Sequence, residues 1–326
     1  MSHKMGIIGY GNVAGYHHDI SKRIKDFEVV AAHDIDAERL KAAKEKGLKP
    51  YDKLDDFLAN ANFDTVLVST PNNFHKPLVV AALDAGKNVI CEKPAALNTA
   101  EFDEMCAAAK KSGRLFTIHQ NRRWDRDFRI TKKSVEDGLV GKPYTIESRV
   151  QGNNGIIEGW RAYKRSGGGM VFDWGAHLID QMLWMVKEEV AEVYANLHRV
   201  KTPEVEDYFK AVLRFESGLS TQIEFGSYHL TTLPRWYVCG DGGSLTIEGF
   251  DCKGKVMCAE KTGAERVREL PLPEVQTDYA DYYTNYLAAL DGKEELIVKP
   301  EEVRRAMRVI DAIFKSHETG ETVKLK

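Results

Sequence analysis

The chain has 326 residues, of which 43% are hydrophobic and 29% charged. This composition is ordinary for a globular protein, and the length favours two domains over one. The formal net charge of −3 gives no reason to expect nucleic acid or an anionic membrane as a partner. No apolar run reaches about 18 residues, so no transmembrane helix is predicted.

Two further features concern the cellular compartment. The first residues, "MSHKMGIIGYG", enter a predicted strand almost at once and leave no room for a signal peptide's apolar core and cleavage site. The five cysteines are odd in number and contain no C-x-x-C pair, which argues against a disulfide framework or a zinc site. We therefore expect a cytoplasmic protein with reduced thiols and no bound metal.

Strands and helices alternate in the first third of the sequence. Five apolar runs predict buried strands, and each of the first four is followed by helical spacing. Continuous apolar strands of this kind indicate a parallel sheet covered by helices on both faces. The predicted strands lie within residues 5–11, 27–34, 63–71, 88–94 and 114–120, and the helices within 13–24, 36–47, 52–60, 75–87 and 99–113.

The pattern changes after about residue 122. Six strand-like stretches follow one another, several with period-two alternation, and this succession predicts an antiparallel sheet. Two helices follow near the end, within residues 277–290 and 299–316. The six strands lie within residues 143–152, 190–200, 207–215, 219–230, 235–241 and 243–249.

A glycine-rich loop connects the first predicted strand to the first helix. Residues Gly9–Ala14 read G-x-G-x-x-A, in which the glycines allow a tight turn and a close approach to a pyrophosphate at the helix N-terminus. A glycine turn without a ligand is the structural alternative. Asp34, 20 residues after Ala14, ends the second strand and can accept hydrogen bonds from ribose hydroxyls while repelling a 2′-phosphate. Together they favour a dinucleotide, and NAD over NADP.

The stretch "VICEKPAAL" places a charged pair where the fourth strand ends. Ligands of open parallel sheets bind beyond the carboxyl ends of the strands, so Lys93 is expected to line the cofactor crevice. Pro94 restricts the backbone of Lys93, and a fixed ammonium beside a cofactor can stabilise an alkoxide. Pairing of Lys93 with Glu92 is the structural alternative.

A second chemically dense stretch is "SGGGMVFDWGAHLIDQMLWM", residues 166–185. Asp173 and His177 are four residues apart, which puts both on one face of a helix. For the isolated pair a structural interpretation remains open, with Asp173 as a helix cap and His177 as a hydrogen-bonded buried histidine.

The ordered set of these motifs resembles the Gfo/Idh/MocA oxidoreductases, the family of glucose-fructose oxidoreductase and inositol 2-dehydrogenase. The resemblance covers essentially the whole chain. It implies a doubly wound Rossmann domain over residues 1–122, followed by an α/β domain with a large open, mostly antiparallel sheet over residues 123–326. The set comprises Gly9-Tyr10-Gly11 with Asp34, Ser69-Thr70-Pro71 with His75, Glu92-Lys93-Pro94, and Gly168-Gly169 through Asp173 to His177.

The resemblance also implies roles for individual residues. Lys93, Asp173 and His177 would be catalytic, with His177 (reference pKa about 6.5) taking the hydroxyl proton. A cis Lys93–Pro94 bond is expected, as relatives often have one there. The residues expected to contact the cofactor are Gly9, Gly11, Asn12, Val13, Asp34, Ser69, Thr70, Asn72, His75, Glu92, Lys93 and Asn121. Those expected to wall the substrate pocket are Arg122, Arg123, Trp124, Trp160 and Arg161.

Some alternatives stay open. Core packing is an equal possibility for Trp124 and Trp160, and His17, His18 and His119 are interpreted as structural. The leading hypothesis is an NAD-dependent dehydrogenase of a sugar, sugar derivative or cyclitol. The alternatives are an NAD-dependent glycoside-cleaving enzyme without net redox and a non-catalytic NAD-sensing regulator. An open sheet with one uncovered face favours a homodimer or homotetramer.

Overall fold

The computed structural model describes residues 2–60, 62–153, 155–259 and 267–325. The chain forms two compact units. The first unit contains residues 1–120 and 279–307, and the second contains residues 121–278 and 308–326. The predicted domain boundary at residue 122 stays a prediction. The segment 279–307, predicted as part of the second domain, is assigned to the first unit.

The first unit is built on a six-stranded parallel sheet. Its strands are β1 (His3–Ile8), β2 (Phe27–His33), β3 (Lys49–Tyr51), β4 (Thr65–Val68), β5 (Asn88–Cys91) and β6 (Phe116–Ile118). Their order in the sheet is β3-β2-β1-β4-β5-β6, the doubly wound order with a switch point between β1 and β4. The parallel sheet and its five apolar strands were predicted. The edge strand β3 was not, because "KPY" is short, contains proline and has no apolar run.

Helices connect these strands. Two of them begin at side-chain caps: Asp36 accepts from the N–H groups of Glu38 and Arg39, and Asn98 accepts from the N–H of Glu101. The helices of the first unit's N-terminal part are α1 (Asn12–Ser21), α2 (Ala37–Glu45), α3 (Leu54–Leu58), α4 (His75–Asp84) and α5 (Thr99–Ser112).

The second unit contains a nine-stranded sheet, ordered β14-β13-β12-β11-β7-β10-β9-β8-β15. The neighbours are antiparallel except β7 and β10, which run parallel with Ser220 opposite Thr145. Alternation is clear in β9, where Phe209, Ala211 and Leu213 are buried and the residues between them are not. The strands are β7 (Pro143–Gln151), β8 (Val190–His198), β9 (Tyr208–Phe215), β10 (Ser220–Gly226), β11 (Trp236–Gly240), β12 (Gly243–Ile247), β13 (Gly254–Ala259), β14 (Val267–Leu270) and β15 (Val323–Lys324).

The remaining helices are α6 (Arg126–Glu136), α7 (Ala176–Met185), α8 (Ala280–Leu290) and α9 (Pro300–Thr319). A short π-helical segment, Val171–Gly175, leads directly into α7. Helix α6 was not predicted, because charged residues dominate it and its buried face is interrupted by Thr131 and Ser134. Among the described helices, none has the length and apolar character needed to cross a membrane.

Candidate active site

The glycine loop follows β1 in the first unit, as predicted. Gly9 has φ +87°, and a Cβ there would lie 2.8 Å from Thr70 Cγ2 and 2.9 Å from the main-chain oxygen of Ser69. A side chain is therefore excluded by both backbone conformation and space. A Cβ on Gly11 would meet no atom within 4 Å, so the start of α1 is open. The first turn of α1 carries no acidic side chain, and its N–H groups suit a phosphate.

Asp34 connects this loop to the end of β2. Its carboxylate accepts from the N–H of Tyr10 at 2.7 Å and from the N–H of Asp36 at 2.9 Å. The guanidinium of Arg39 lies 3.6 Å away and is about half exposed. These hydrogen bonds hold Asp34 beside the glycine loop, and together the loop and Asp34 fit the adenosine and pyrophosphate of a dinucleotide.

The loops after β4 and β5 are joined by His75. Its two ring nitrogens lie 3.0 Å from the main-chain oxygen of Thr70 and 2.7 Å from that of Pro94. Burial lowers the pKa of His75, and a neutral ring has one N–H, so it donates to one of these carbonyls at a time. Its side chain has no exposed surface, and His75 therefore packs between the two loops as a buried structural residue. The Lys93–Pro94 bond is cis, as predicted.

Glu92, the residue before Lys93, is the centre of a cluster that the sequence did not predict. Its Oε1 lies 2.8 Å from His17 Nε2 and 2.8 Å from His119 Nδ1, and its Oε2 accepts from the N–H of Lys93. His17 Nδ1 is 2.5 Å from the hydroxyl of Tyr283 on α8. We call His17, Glu92 and His119 the Glu92 cluster. It joins α1, the end of β5 and the end of β6, and the contact of His17 with Tyr283 connects it to α8.

The protonation of the Glu92 cluster follows from its burial and contacts. Burial would raise the pKa of Glu92, but the charge and hydrogen bond of His119 and the hydrogen bond of His17 hold it well below its usual range. Burial, followed by the charge of His119, lowers the pKa of His17 to about 4. Near neutral pH His17 therefore has one N–H. If Nε2 donates it to the carboxylate, Nδ1 accepts from Tyr283.

The three side chains of the Glu92 cluster could also be considered as metal ligands, since one donor atom of each lies within 4.8 Å of the others. Both histidine contacts fall on the same carboxylate oxygen at ordinary hydrogen-bond distances. Hydrogen bonding accounts for these contacts without a metal. The expectation of no metal stays a prediction.

In the second unit, Asp173 lies in the π-helical segment and His177 in the first turn of α7. Asp173 Oδ2 is 3.4 Å from Arg161 Nε, and the Arg161 guanidinium lies 4.5 Å from the ring centre of Trp160. His177 is buried, with its ring 6.2 Å from that of Trp174. Arg161 therefore lies beside Asp173, and Trp160 beside Arg161, at the start of the helix that also carries His177. π-helical turns are frequent at functional sites.

The other predicted pocket residues divide by burial. Arg122 is partly exposed, donates to Asp125 at 3.0 Å and lies 4.1 Å from the ring centre of Trp174, and its contact with a substrate stays a prediction. Arg123 is buried in a two-bond ion pair with Asp180, at 2.7 and 2.8 Å. Trp124 is also buried. These contacts explain Arg123 and Trp124 through packing, and their contact with a substrate stays a prediction.

Two features lay beyond sequence reasoning. The Glu92 cluster combines residues 17, 92 and 119, which no spacing rule connects until the strand order is known. Glu206, between β8 and β9, accepts a hydrogen bond from the N–H of Val171 at the start of the helix with Asp173. The residue pattern around it, "TPEVEDY", gives no signal of this contact.

Comparison with known proteins agrees with this fold. Residues 3–120 match the model of the oxidoreductase family with an NAD-binding Rossmann fold, and residues 128–246 match the GFO/IDH/MocA C-terminal domain. The protein is therefore an oxidoreductase with NAD as its cofactor. It belongs to the GFO/IDH/MocA family, as the resemblance in the sequence implied.

Individual relatives span nearly the whole chain. An NAD-binding protein from Listeria innocua has a solved structure with a TM-score of 0.94 and 39% identity, covering 99% of this chain and 97% of that one. Myo-inositol 2-dehydrogenase from Thermotoga maritima is 31% identical, covering 99% of this chain and 98% of the relative. A 1,5-anhydro-D-fructose reductase from Ensifer adhaerens is 27% identical, covering 99% and 98%.

Proposed function

We propose that the protein is an NAD-dependent dehydrogenase that oxidises a CH–OH carbon of a cyclitol, sugar or sugar derivative, or reduces the matching carbonyl. One observation carries the proposal. In the first unit Lys93 follows β5 at the same edge of the sheet at which the glycine loop follows β1. Ligands bind beyond this edge in doubly wound sheets. An ammonium fixed there is suited to stabilise negative charge on a substrate oxygen beside a dinucleotide.

The catalytic roles rest on the family resemblance. When bound, the cofactor supplies a hydride acceptor. His177 takes the hydroxyl proton, Lys93 stabilises the charge that develops on the oxygen, and Asp173 orients the substrate. In the reverse direction His177 returns the proton to the oxygen of the reduced carbonyl. The i, i+4 placement of Asp173 and His177 at one helix end supports their joint action.

The cofactor preference proposed here is NAD over NADP. Asp34 places a carboxylate beside the glycine loop, where it would accept from the ribose hydroxyls and repel a 2′-phosphate. The names of the two enzymes described above, an inositol dehydrogenase and an anhydrofructose reductase, support ring compounds with several hydroxyl groups as the substrate class.

The test is a screen of inositols, monosaccharides, anhydrosugars and glycosides with NAD and with NADP, followed by NADH absorbance. We expect net NADH formation with at least one cyclitol or sugar, at a rate that is lower by a factor of about 10² or more in Lys93→Met. Cleavage of a glycoside without NADH accumulation would instead indicate the glycoside-cleaving alternative. Tight NADH binding with no turnover of any compound would indicate a sensor.

We also expect a homodimer or homotetramer formed through the nine-stranded sheet, and a cytoplasmic location. Tyr194 on β8 is exposed and lies opposite the half-buried Val212 on β9, which leaves apolar surface on that side of the sheet. Light scattering after size-exclusion chromatography tests the assembly. Tyr194→Glu should weaken it, and a monomeric wild type would rule it out.

A further inference from the structure

We propose that Glu206 is a positioning residue for Asp173 and His177, because its carboxylate fixes the first turn of the helix that carries both. The inference rests on the proposed function for the roles of Asp173 and His177. It adds a residue outside the family motifs, located between β8 and β9 in the second unit.

Glu206 contacts the start of this helix at two points. Its Oε1 accepts from the N–H of Val171 at 2.9 Å, and its main-chain oxygen accepts from the N–H of Met170 at 3.1 Å. The first N–H groups of a helix have no acceptor within the helix, so an external acceptor stabilises the turn. Asp173 is two residues beyond Val171, and its N–H donates to the main-chain oxygen of Gly169 in the same turn. A shift of this turn therefore moves the Asp173 carboxylate directly.

Gly169 makes the close approach of Glu206 possible. Its φ is +104°, and a Cβ at this position would lie 2.4 Å from Glu206 Oε1 and 2.6 Å from Oε2. Only glycine tolerates both the backbone conformation and the contact. The main chain at Gly169 therefore packs directly against the Glu206 carboxylate.

The main chain beside Glu206 is itself held in place. The carboxylate of Asp207 accepts from the N–H groups of Val200 and Lys201 at 2.6 Å and of Thr202 at 2.7 Å. Strand β9 begins at the next residue, Tyr208. Glu206 therefore reaches the helix from a rigid support, as a positioning residue must.

An ionised Glu206 is costly to the fold. Burial, together with the charge of Asp207, raises its pKa to about 7, and the N–H groups of Val171 and Met170 oppose this shift. A further carboxylate, that of Asp173, is on the helix that Glu206 supports. A glutamine of the same shape could accept the N–H of Val171 without the ionisation cost. The reach of the side chain and its charge can therefore be separated by mutation.

The experiment compares Glu206→Gln, which keeps the reach and removes the charge, with Glu206→Asp, which keeps the charge and shortens the reach. Glu204→Asp is the matched control, since Glu204 is exposed in the same segment. Two readouts are measured: amide hydrogen exchange of the peptide around Val171, and kcat, KM and NADH affinity. The exchange measurement needs no substrate, so it tests Glu206 even if the proposed activity fails.

We expect Glu206→Asp to speed exchange at Val171 by about tenfold or more and to lower kcat by about 10- to 100-fold, the scale of a small misplacement. NADH affinity should stay unchanged, and Glu206→Gln should keep both exchange and kcat near wild type. Wild-type exchange and kcat in Glu206→Asp would overturn the proposal. So would loss of both in Glu206→Gln with retention in Glu206→Asp, since the charge and not the reach would then be responsible.

Discussion

In the first unit Lys93 follows Glu92, a carboxylate that is kept ionised. In the second unit Asp173 and His177 lie on a helix whose first turn contacts Glu206, a carboxylate whose raised pKa favours its neutral form. Both groups are largely buried: the Glu92 side chain is 12% exposed, and Glu206 is 9% exposed. The pKa of Glu92 lies well below its usual range, and that of Glu206 is raised to about 7. Burial alone therefore does not decide the charge of either group.

The difference lies in the partners. Glu92 accepts from two imidazole rings and from the N–H of Lys93, so its charge is compensated by three donors. Within the part of the chain that the structure describes, Glu206 accepts from main-chain N–H groups only, and the charge of Asp207 beside it adds repulsion. Hydrogen bonds and nearby positive charge offset desolvation in the first unit, and desolvation exceeds them in the second. A largely buried glutamate is therefore held in its charged form in the first unit and shifted toward its neutral form in the second.

The largest expected effect concerns the second unit. His177→Ala should lower the rate of alcohol oxidation by about 10²- to 10⁴-fold, the usual contribution of a general base. The wild-type rate should fall as pH drops through the pKa of the base, and the mutant should lose this limb. Rates with NAD from pH 5 to pH 9 provide the test. An unchanged pH profile in the mutant would place the base elsewhere.

The corresponding change in the first unit is Lys93→Met, which keeps the length and removes the charge. Turnover should fall by a factor of about 10² or more, the scale of losing one oxyanion donor. NADH affinity should change little, because the glycine loop and Asp34 are intact. Steady-state kinetics with NADH fluorescence titration measures both. Loss of NADH binding in proportion to activity would make Lys93 a cofactor-holding residue.

His17, which contacts Glu92 in the first unit, and Glu206 in the second unit should make the stability of the protein depend on pH in opposite directions. His17 has a pKa of about 4 in the folded protein, below the value of about 6.5 in the unfolded chain. Its contribution to the free energy of unfolding is therefore present above pH 6.5 and is lost as pH falls toward 4. Glu206 has a folded pKa of about 7, above the unfolded value, so its contribution is present below about pH 4.5 and is lost as pH rises through 7. Each difference corresponds to about 3 kcal/mol, with opposite sign.

Urea unfolding of His17→Gln and Glu206→Gln at pH 5 and pH 8 tests this contrast. Relative to wild type, His17→Gln should be destabilised more at pH 8 than at pH 5. Glu206→Gln should be stabilised more at pH 8 than at pH 5. His198→Gln and Glu204→Gln, both at exposed positions, are the controls. The same sign for both mutants would break the comparison between the units.

The sequence predicts more of the fold and of the motif residues than of the residues that support them. The strands of the first unit were readable because burial on both faces requires continuous apolar runs, as in β4 and β5. The family and the motif residues were also readable, since Gly9, Lys93 and His177 stand in short fixed patterns. The structure puts Lys93 at the carboxyl edge of the sheet, and Asp173 and His177 on one continuous helical segment, as predicted.

The supporting residues were not readable, for a physical reason. His17, Glu92 and His119 meet only because β5 lies beside β6 and α1 packs near the same edge, and these long-range contacts leave no local pattern. Glu92 was interpreted as a partner for Lys93 or the cofactor, and its contacts with His17 and His119 were missed. Glu206 contacts a helix 35 residues earlier in the chain.

The smallest expected effect concerns a third carboxylate, Asp34, which has two main-chain N–H partners and a half-exposed arginine nearby. The proposed task of Asp34 is recognition of the cofactor, whereas Glu92 and Glu206 support neighbouring residues. Asp34→Ser removes the charge that repels a 2′-phosphate and leaves Arg39, 3.6 Å from Asp34 in the wild type, able to attract one. We expect the ratio of kcat/KM for NAD to that for NADP to fall by about tenfold, equivalent to about 1.4 kcal/mol.

Asp36→Ser is the control, because Asp36 caps α2 and a serine can cap it as well. A wild type that uses NADP at least as efficiently as NAD would refute this role, and Asp34 would then be a structural link between the glycine loop and β2.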